Sequence, residues 1–88
     1  MSDEEYPIGL ETSPKQQGGC FNFYYYGADQ RALVLHNYCN RRKGCSVQVT
    51  NIHTLQVFNE THIADANQDA AAYQTADVSP RLMAEWDA

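Results

Sequence analysis

The chain has 88 residues, which is enough for one domain at most, and 43% of them are hydrophobic. This hydrophobic share argues against wholesale disorder, and no apolar run reaches the length of about 18 residues that a membrane span needs. The formal net charge of −5 at pH 7 argues against a strongly basic nucleic-acid-binding protein.

The first segment, residues 1–19, is predicted to be a flexible acidic tail. It carries four acidic residues, one lysine and few large apolar side chains. Its first residues, MSDEEYPIG, lack the hydrophobic stretch of a secretory signal peptide. A cytoplasmic location is therefore the expectation.

The aromatic stretch Cys20 to Tyr26 is predicted to be a strand. Phe21 and Phe23 fall on one face of this strand, and Tyr24 and Tyr26 fall on the other. Aromatic residues suit a half-buried pleated surface, so the phenylalanines are expected to face the core.

The next segment, Asp29 to Lys43, is predicted to be the main helix. Asp29 is a suitable N-cap, residues 41–43 are basic where the helix dipole is negative, and Gly44 is a suitable C-cap. The alternative is a strand over Ala32 to Tyr38, because that run is short and apolar. The capping residues at both ends favour the helix.

Two more strands are predicted after this helix, over Cys45 to Ile52 and over Leu55 to Thr61, because apolar and polar residues alternate in both. The predicted fold class is therefore α+β, with one main helix packed on a three-stranded, largely antiparallel sheet. Residues 20–63 would form this core, since a sheet of three strands covered by a helix holds together in water.

The last segment, residues 64–88, is alanine-rich and acidic, and is predicted to be a helical or partly disordered extension. Within it, Ser79-Pro80 has the pattern of an N-cap followed by proline at the first helical position. A short C-terminal helix starting there would place Leu82, Met83 and Trp86 on one side.

The three cysteines are expected to be buried thiols, because an odd number is unusual for a disulfide scaffold. A short-range disulfide between Cys39 and Cys45 is the alternative. Together with Cys20 and His36 these two cysteines would make a Cys₃His zinc set, but no CxxC or HxxxH spacing supports it. The prediction is that the protein holds no metal or cofactor and has no catalytic residue.

Nucleic-acid binding is the alternative function that the charge pattern raises. Tyr24 and Tyr26 would stack on bases, and Arg41, Arg42 and Lys43 would contact phosphates. The negative net charge and the incomplete aromatic signature weigh against this alternative.

The leading interpretation is a small non-catalytic protein that binds another protein, as a module or an inhibitor-type regulator, through an aromatic surface and the acidic tail. Tryptophan, tyrosine and methionine commonly anchor such interfaces, so Trp86, Leu82, Met83, Tyr24 and Tyr26 are the predicted contact residues. Small intracellular adaptors, immunity proteins and phage- or plasmid-encoded inhibitors share this general composition. No contact with a membrane is expected, and the sequence does not determine the oligomeric state.

Overall fold

The computed structural model describes the backbone of Leu10–Glu11 and residues 19–88. This part of the chain contains seven strands and no helix, so the predicted α+β class with a main helix is wrong. None of its elements is a helix that could cross a membrane. The strands are β1 (Leu10–Glu11), β2 (Phe21–Tyr26), β3 (Ala32–Asn37), β4 (Lys43–Asn51), β5 (Val57–Ala64), β6 (Asp69–Gln74) and β7 (Val78–Asp87).

The strands form two antiparallel sheets that pack face to face. The first sheet has the order β1-β2-β3-β6, and the second has the order β5-β4-β7. The chain changes sheet after β3, after β5 and again after β6, so β1–β2, β2–β3 and β4–β5 are the pairs of consecutive strands that lie side by side in a sheet. β5 lies against β6, and β7 lies against β6 and β2.

The hydrophobic core lies between the two sheets and is built mainly from odd-numbered residues of three strands. In β2 the predicted orientation is confirmed, because Phe21 and Phe23 are buried in this core. Side chains on alternate positions of a strand share a face, so one strand supplies every second residue. The buried cluster consists of Cys20, Phe21, Phe23, Leu33, Leu35, Cys45, Val47, Val49, Ala64 and Tyr73.

The segment predicted to be the main helix contains β3 instead, flanked by two turns. Asp29 does not cap a helix, and its Oδ1 accepts a hydrogen bond from the Arg31 backbone N–H at 3.2 Å. Aspartate closes turns and caps helices by the same local hydrogen bond, so this signal does not distinguish the two. The strand alternative over Ala32 to Tyr38 corresponds to the observed β3.

β3 is buried on both faces, and this explains why its sequence shows no alternation. Leu33 and Leu35 face the core between the sheets, and Val34 and His36 are buried on the opposite face. A strand with two buried faces has a continuous apolar run, which resembles a buried helix in sequence.

The C-terminal extension is not helical either. β6 pairs with β3, and β7 pairs with β4 along most of its length, so residues 64–88 belong to both sheets. Ala70 and Ala71 pack against the core, and this packing outweighs the helix propensity of alanine. Pro80 lies in β7, at an edge of the second sheet, where a missing N–H is tolerated.

The three predicted strands correspond to β2, β4 and β5, but they do not share one sheet. β4 and β5 form the expected antiparallel pair, whereas β2 lies in the first sheet. The predicted acidic tail, residues 1–19, lies outside the described residues except for Leu10, Glu11 and Gly19.

One disulfide bond joins Cys20, just before β2, to Cys39, just after β3. The prediction of three free thiols is therefore wrong, and so is the alternative pairing of Cys39 with Cys45. Cys45 is a free cysteine, completely buried in the core. The bond closes the open end of the β2–β3 hairpin, where Phe21 and Asn37 are directly paired.

Candidate functional site

The outer face of the second sheet is the candidate site, and its residues follow from the strand register. Side chains alternate along each strand, so residues paired with the outward positions of β4 share its outward direction. We call this surface the neutral face. It consists of Gly44, Ser46, Gln48 and Thr50 in β4, Val57, Asn59, Thr61 and Ile63 in β5, and Ser79, Arg81, Ala84 and Trp86 in β7.

The neutral face is almost free of charge. Arg81 is its single charged residue, although the chain as a whole has 6 basic and 11 acidic residues. Exposed apolar side chains lie at both ends, with Ile63 and Trp86 at one end and Val57 at the other. Depletion of charge around aromatic residues is the composition of the buried centre of a protein–protein interface.

Trp86 rests directly on Gly44, its neighbour in the sheet. A Cβ atom added to Gly44 would lie 2.6 Å from Cε2 of the indole, which is closer than real Cβ contacts come. The absence of a side chain at Gly44 is therefore what lets the indole lie against the backbone. Trp86 remains 38% exposed, so it covers the sheet and leaves part of its indole open to solvent.

A β-bulge at Met83 separates Trp86 from Leu82. Ser46 pairs with Ala84 and Val47 pairs with Leu82, so Met83 is an extra residue in β7. The bulge reverses the alternation, which turns Leu82 toward the core and leaves Met83 50% exposed. The predicted helical face that joined Leu82, Met83 and Trp86 is wrong, and only Met83 and Trp86 are exposed.

The two predicted tyrosine contacts lie in the first sheet, away from the neutral face. Tyr24 is only 4% exposed, and its hydroxyl donates a hydrogen bond to Asp69 Oδ1 at 3.4 Å. Burial, together with the Asp69 charge, raises the pKa of Tyr24 to about 12. Tyr26 is exposed at the end of β2. The two tyrosines therefore do not form one exposed stacking surface.

The basic residues Arg41, Arg42 and Lys43 are each close to a carboxylate of the same chain. Lys43 Nζ donates to Asp87 Oδ1 at 2.9 Å, and Arg41 Nε donates to the same oxygen at 3.3 Å. Arg42 Nε lies 3.8 Å from Asp65 Oδ1. The hydrogen bonds from Lys43 and Arg41 hold the pKa of Asp87 below its usual value. These pairs reduce the positive charge available for a phosphate.

The cysteines and histidine of the Cys₃His hypothesis are committed to other contacts. Cys20 and Cys39 form the disulfide, and His36 Nδ1 lies 2.7 Å from Asp69 Oδ1. Burial, and then the Glu85 charge, raises the pKa of Cys45 to about 11, so it stays a thiol near neutral pH. Within residues 19–88 and the short β1, no three potential ligands are grouped.

The sequence analysis missed a polar cluster between β5 and β6. Tyr73 Oη donates to Glu60 Oε1 at 2.8 Å, and His62 Nε2 lies 2.7 Å from the same oxygen. The hydrogen bond with His62, followed by that from Tyr73, lowers the pKa of Glu60. Burial and the Glu60 contact raise the pKa of Tyr73. Alternation along β5 puts Glu60 and His62 on its inner face, which was the available signal.

This cluster closes one side of the sandwich. Tyr73 keeps its proton and directs it to Glu60, and His62 holds the same carboxylate from the side. Inward-pointing charged residues on an edge strand are a common protection against unwanted pairing at that side of a sheet. The arrangement therefore has a structural explanation, and the groups are occupied with one another.

A cavity of about 330 Å³ lies at the end of the sandwich that carries the β2–β3 turn. Its lining combines apolar residues from both sheets with the polar residues Tyr25, Thr75 and Ser79, and none of the lining residues is charged. This volume is at the lower end for small-molecule sites. The Thr75 hydroxyl donates to the backbone carbonyls of Gln30 and Arg31, and the lining residues include no carboxylate, histidine or cysteine.

Comparison with known proteins adds no functional assignment. No family model, curated protein or solved structure matches this chain. Its function is therefore inferred from the geometry and chemistry of the described residues.

Proposed function

We propose that this protein is a small non-catalytic module, of the inhibitor or regulator type, that binds another protein through the neutral face. The observation that supports this proposal is the single charge among its twelve positions, beside the exposed indole of Trp86. Burying ionised groups in an interface is costly unless they are paired, whereas hydroxyl and amide groups find hydrogen-bond partners easily.

β7 supplies the anchor residues in this proposal. Trp86 and Arg81 belong to the neutral face, and Met83 is the exposed bulge residue between them on the same strand. Tryptophan, methionine and arginine are enriched in protein interfaces. Trp86 is held against Gly44 before any partner arrives, so little side-chain freedom is lost on binding. An anchor prepared in this way is typical of interface hot spots, whose removal costs about 2 kcal/mol or more.

The non-catalytic part of the proposal is supported by the state of the reactive side chains. Cys45 is a buried thiol with a raised pKa, which makes it a poor nucleophile. Glu60, His62 and Tyr73 are hydrogen-bonded to one another. A cysteine nucleophile or an acid–base pair thus has no support in the described part of the chain.

The two alternative functions receive less support than protein binding. The basic residues proposed to bind phosphate lie beside Asp65 and Asp87, and Tyr24 is buried. The metal alternative loses two of its four ligands to the disulfide. A salt series tests the nucleic-acid alternative, which requires binding that weakens steeply as salt increases.

The cytoplasmic location predicted from the sequence remains a prediction. The disulfide between Cys20 and Cys39 weighs against it, because structural disulfides persist mainly in oxidising compartments. Alkylation of the protein in its native host before lysis distinguishes the two cases. Labelled Cys20 and Cys39 support a reducing location, and unlabelled cysteines support an oxidising one.

The experiment that tests the binding proposal compares two alanine-to-arginine variants. Ala84→Arg adds a charge to the neutral face, and Ala72→Arg adds the same charge to an exposed position of the first sheet. Proteins captured from the native host are identified by mass spectrometry. We expect partners that bind the wild type and Ala72→Arg but are lost with Ala84→Arg. Identical captured proteins for all three chains refute the proposal, as does capture of none by the wild type.

A second variant keeps Trp86 but displaces its indole ring from the sheet. Gly44→Ala places a methyl group where the indole lies, so the ring must move away from the sheet. Trp86 is the only tryptophan, and its fluorescence therefore reports this movement directly. We expect a changed emission spectrum and partner binding weakened to the level of Trp86→Ala. Undiminished binding by a folded Gly44→Ala protein excludes Trp86 as the anchor.

A further inference from the structure

Within the described residues, the second sheet has two edges that pair with no further strand, and the backbone ladder of only one of them is interrupted. The β7 edge contains Pro80, which lacks an N–H donor, and the bulge at Met83, which distorts the ladder. β5 runs for eight residues and pairs with β4 without a shift of register. It contains no proline, so its outer row of backbone N–H and C=O groups is regular.

The side chains of β5 protect this edge only by one inward-pointing carboxylate. Its single carboxylate, Glu60, points inward and is bound by Tyr73 and His62. Val57 and Ile63 are exposed, and Phe58 is 53% exposed although alternation places it on the inner side. Among the described strands, none pairs with the outer edge of β5. A regular, exposed and partly apolar edge is a template for another strand.

We infer that β5 pairs antiparallel with β5 of a second copy of this chain, around a twofold axis at Thr61. In a symmetric antiparallel pair, the two copies of one residue lie opposite each other on either side of the twofold axis, because directly opposed residues must face the same side of the sheet. Each register is named by that residue. Two registers pair most of the strand. The axis at Glu60 sets two carboxylates opposite each other, which is unfavourable.

The register centred on Thr61 is the self-complementary one. It sets Glu60 of each copy, which is already hydrogen-bonded to its own His62, opposite His62 of the other copy, so the inward-pointing carboxylate meets an imidazole and not a second carboxylate. Phe58 then faces Ala64 of the second copy, which covers a side chain that is exposed in the single chain. The pairing of Glu60 with His62, and of Phe58 with Ala64, favours a second copy of the chain as the partner of this edge.

Pairing in this way joins the two second sheets into one continuous six-stranded sheet. The neutral faces of both copies then form one surface, with the Thr61 side chains at its centre. This inference concerns the edge of the sheet and does not depend on the function proposed for its face. Self-association and partner binding are separate measurements, so either can fail without the other.

Sedimentation equilibrium of the full chain tests the inference, with one variant and one matched control. Thr61→Lys places two ammonium groups opposite each other at the axis, and Ser79→Lys adds the same charge on the β7 edge. We expect a wild-type dimer, a Ser79→Lys dimer of equal affinity, and dimerisation weakened about tenfold or more by Thr61→Lys. A wild-type chain that is monomeric at millimolar concentration refutes the inference.

A cross-linking experiment tests the register itself. Thr61→Cys brings two thiols face to face at the axis, whereas Asn59→Cys places its thiol opposite Ile63 of the second copy. Both introduced positions are exposed, and the native cysteines are buried or already bonded. We expect Thr61→Cys to form a covalent dimer under mild oxidation much faster than Asn59→Cys does. Equal rates for the two variants, or no covalent dimer, refute the Thr61 register.

Discussion

Replacing both Cys20 and Cys39 by alanine is expected to lower the free energy of unfolding by about 3 kcal/mol. The two cysteines are 19 residues apart in sequence, so the bond closes a loop of that length. The unfolded chain loses conformational entropy when the loop is closed, and for about 20 residues this loss corresponds to about 3 kcal/mol at room temperature. The folded state gains little from the bond in this description.

The folded state is expected to survive the loss, because other contacts hold the same two segments together. The Tyr38 backbone N–H donates to the Cys20 carbonyl at 2.7 Å, beyond the last pair of the β2–β3 ladder. The Glu85 carboxylate accepts hydrogen bonds from the backbone N–H of Cys20 at 2.7 Å and of Phe21 at 3.2 Å. These contacts form in the native structure whether or not the sulfur atoms are bonded.

Urea unfolding of the wild type and the double variant measures the effect, with the melting temperature as a second readout. For a chain of this size, a loss of about 3 kcal/mol lowers the melting temperature by about 15 °C. Reductant should destabilise the wild type by a similar amount and leave the double variant unchanged. A difference well below about 1 kcal/mol contradicts the loop argument. An unfolded double variant contradicts the view that the ladder and Glu85 are sufficient.

Three further outcomes are expected. Leu35→Ala should lower the free energy of unfolding in urea by about 2–5 kcal/mol, because Leu35 is completely buried between the sheets. A loss well under about 1 kcal/mol would place this residue outside the core. Cys45 should not react with a maleimide in the native protein near neutral pH, because it is buried and burial raises its pKa to about 11. It should react once urea unfolds the protein, and rapid labelling of the native protein would contradict the buried position. The pKa of Glu60 is lowered from 4.5 in the folded protein, so its stabilising contribution is present above that pH and is lost as pH falls through the folded value. Glu60→Gln should therefore weaken the acid-induced loss of stability, and urea midpoints of both proteins between pH 3 and pH 7 check this.

Alternation in the sequence was sufficient to predict β2, β4 and β5. Phe21 and Phe23 were assigned to the core face of β2, and both are buried there. Val47 and Val49 are apolar positions of the alternating pattern in β4, and both are buried as well. In these strands one face meets the core and the other is more polar or more exposed, so a period of two is visible without any tertiary information.

The sequence signal failed where local chemistry serves two structures equally well. Asp29 was interpreted as a helix cap and closes a turn. The alanines near Ala71 form a strand because they pair with β3, and Ala70 and Ala71 pack against the core. Helix propensity is a weak preference, and pairing with a neighbouring strand outweighs it. The strand β3 was given only as the alternative to a helix, because burial on both faces removes the alternation of apolar and polar residues.

The candidate site could be predicted only in part. Trp86 and Met83 were identified by residue type, and both are exposed on β7. Their relation to Leu82 depends on a bulge whose position is set by the register with β4, and no local pattern encodes that register. The neutral face likewise exists only once β5, β4 and β7 are placed side by side.

The amino-acid sequence by itself determined the acidic net charge, three of the strands and the residue types that the proposed binding surface uses. Only the tertiary structure decided which strands share a sheet, which cysteine pairs with Cys20, and that the face around Trp86 is nearly uncharged. The physical reason is that these features depend on contacts between residues distant in the chain. Such contacts form through the packing of two sheets, which the periodicity of one segment does not contain.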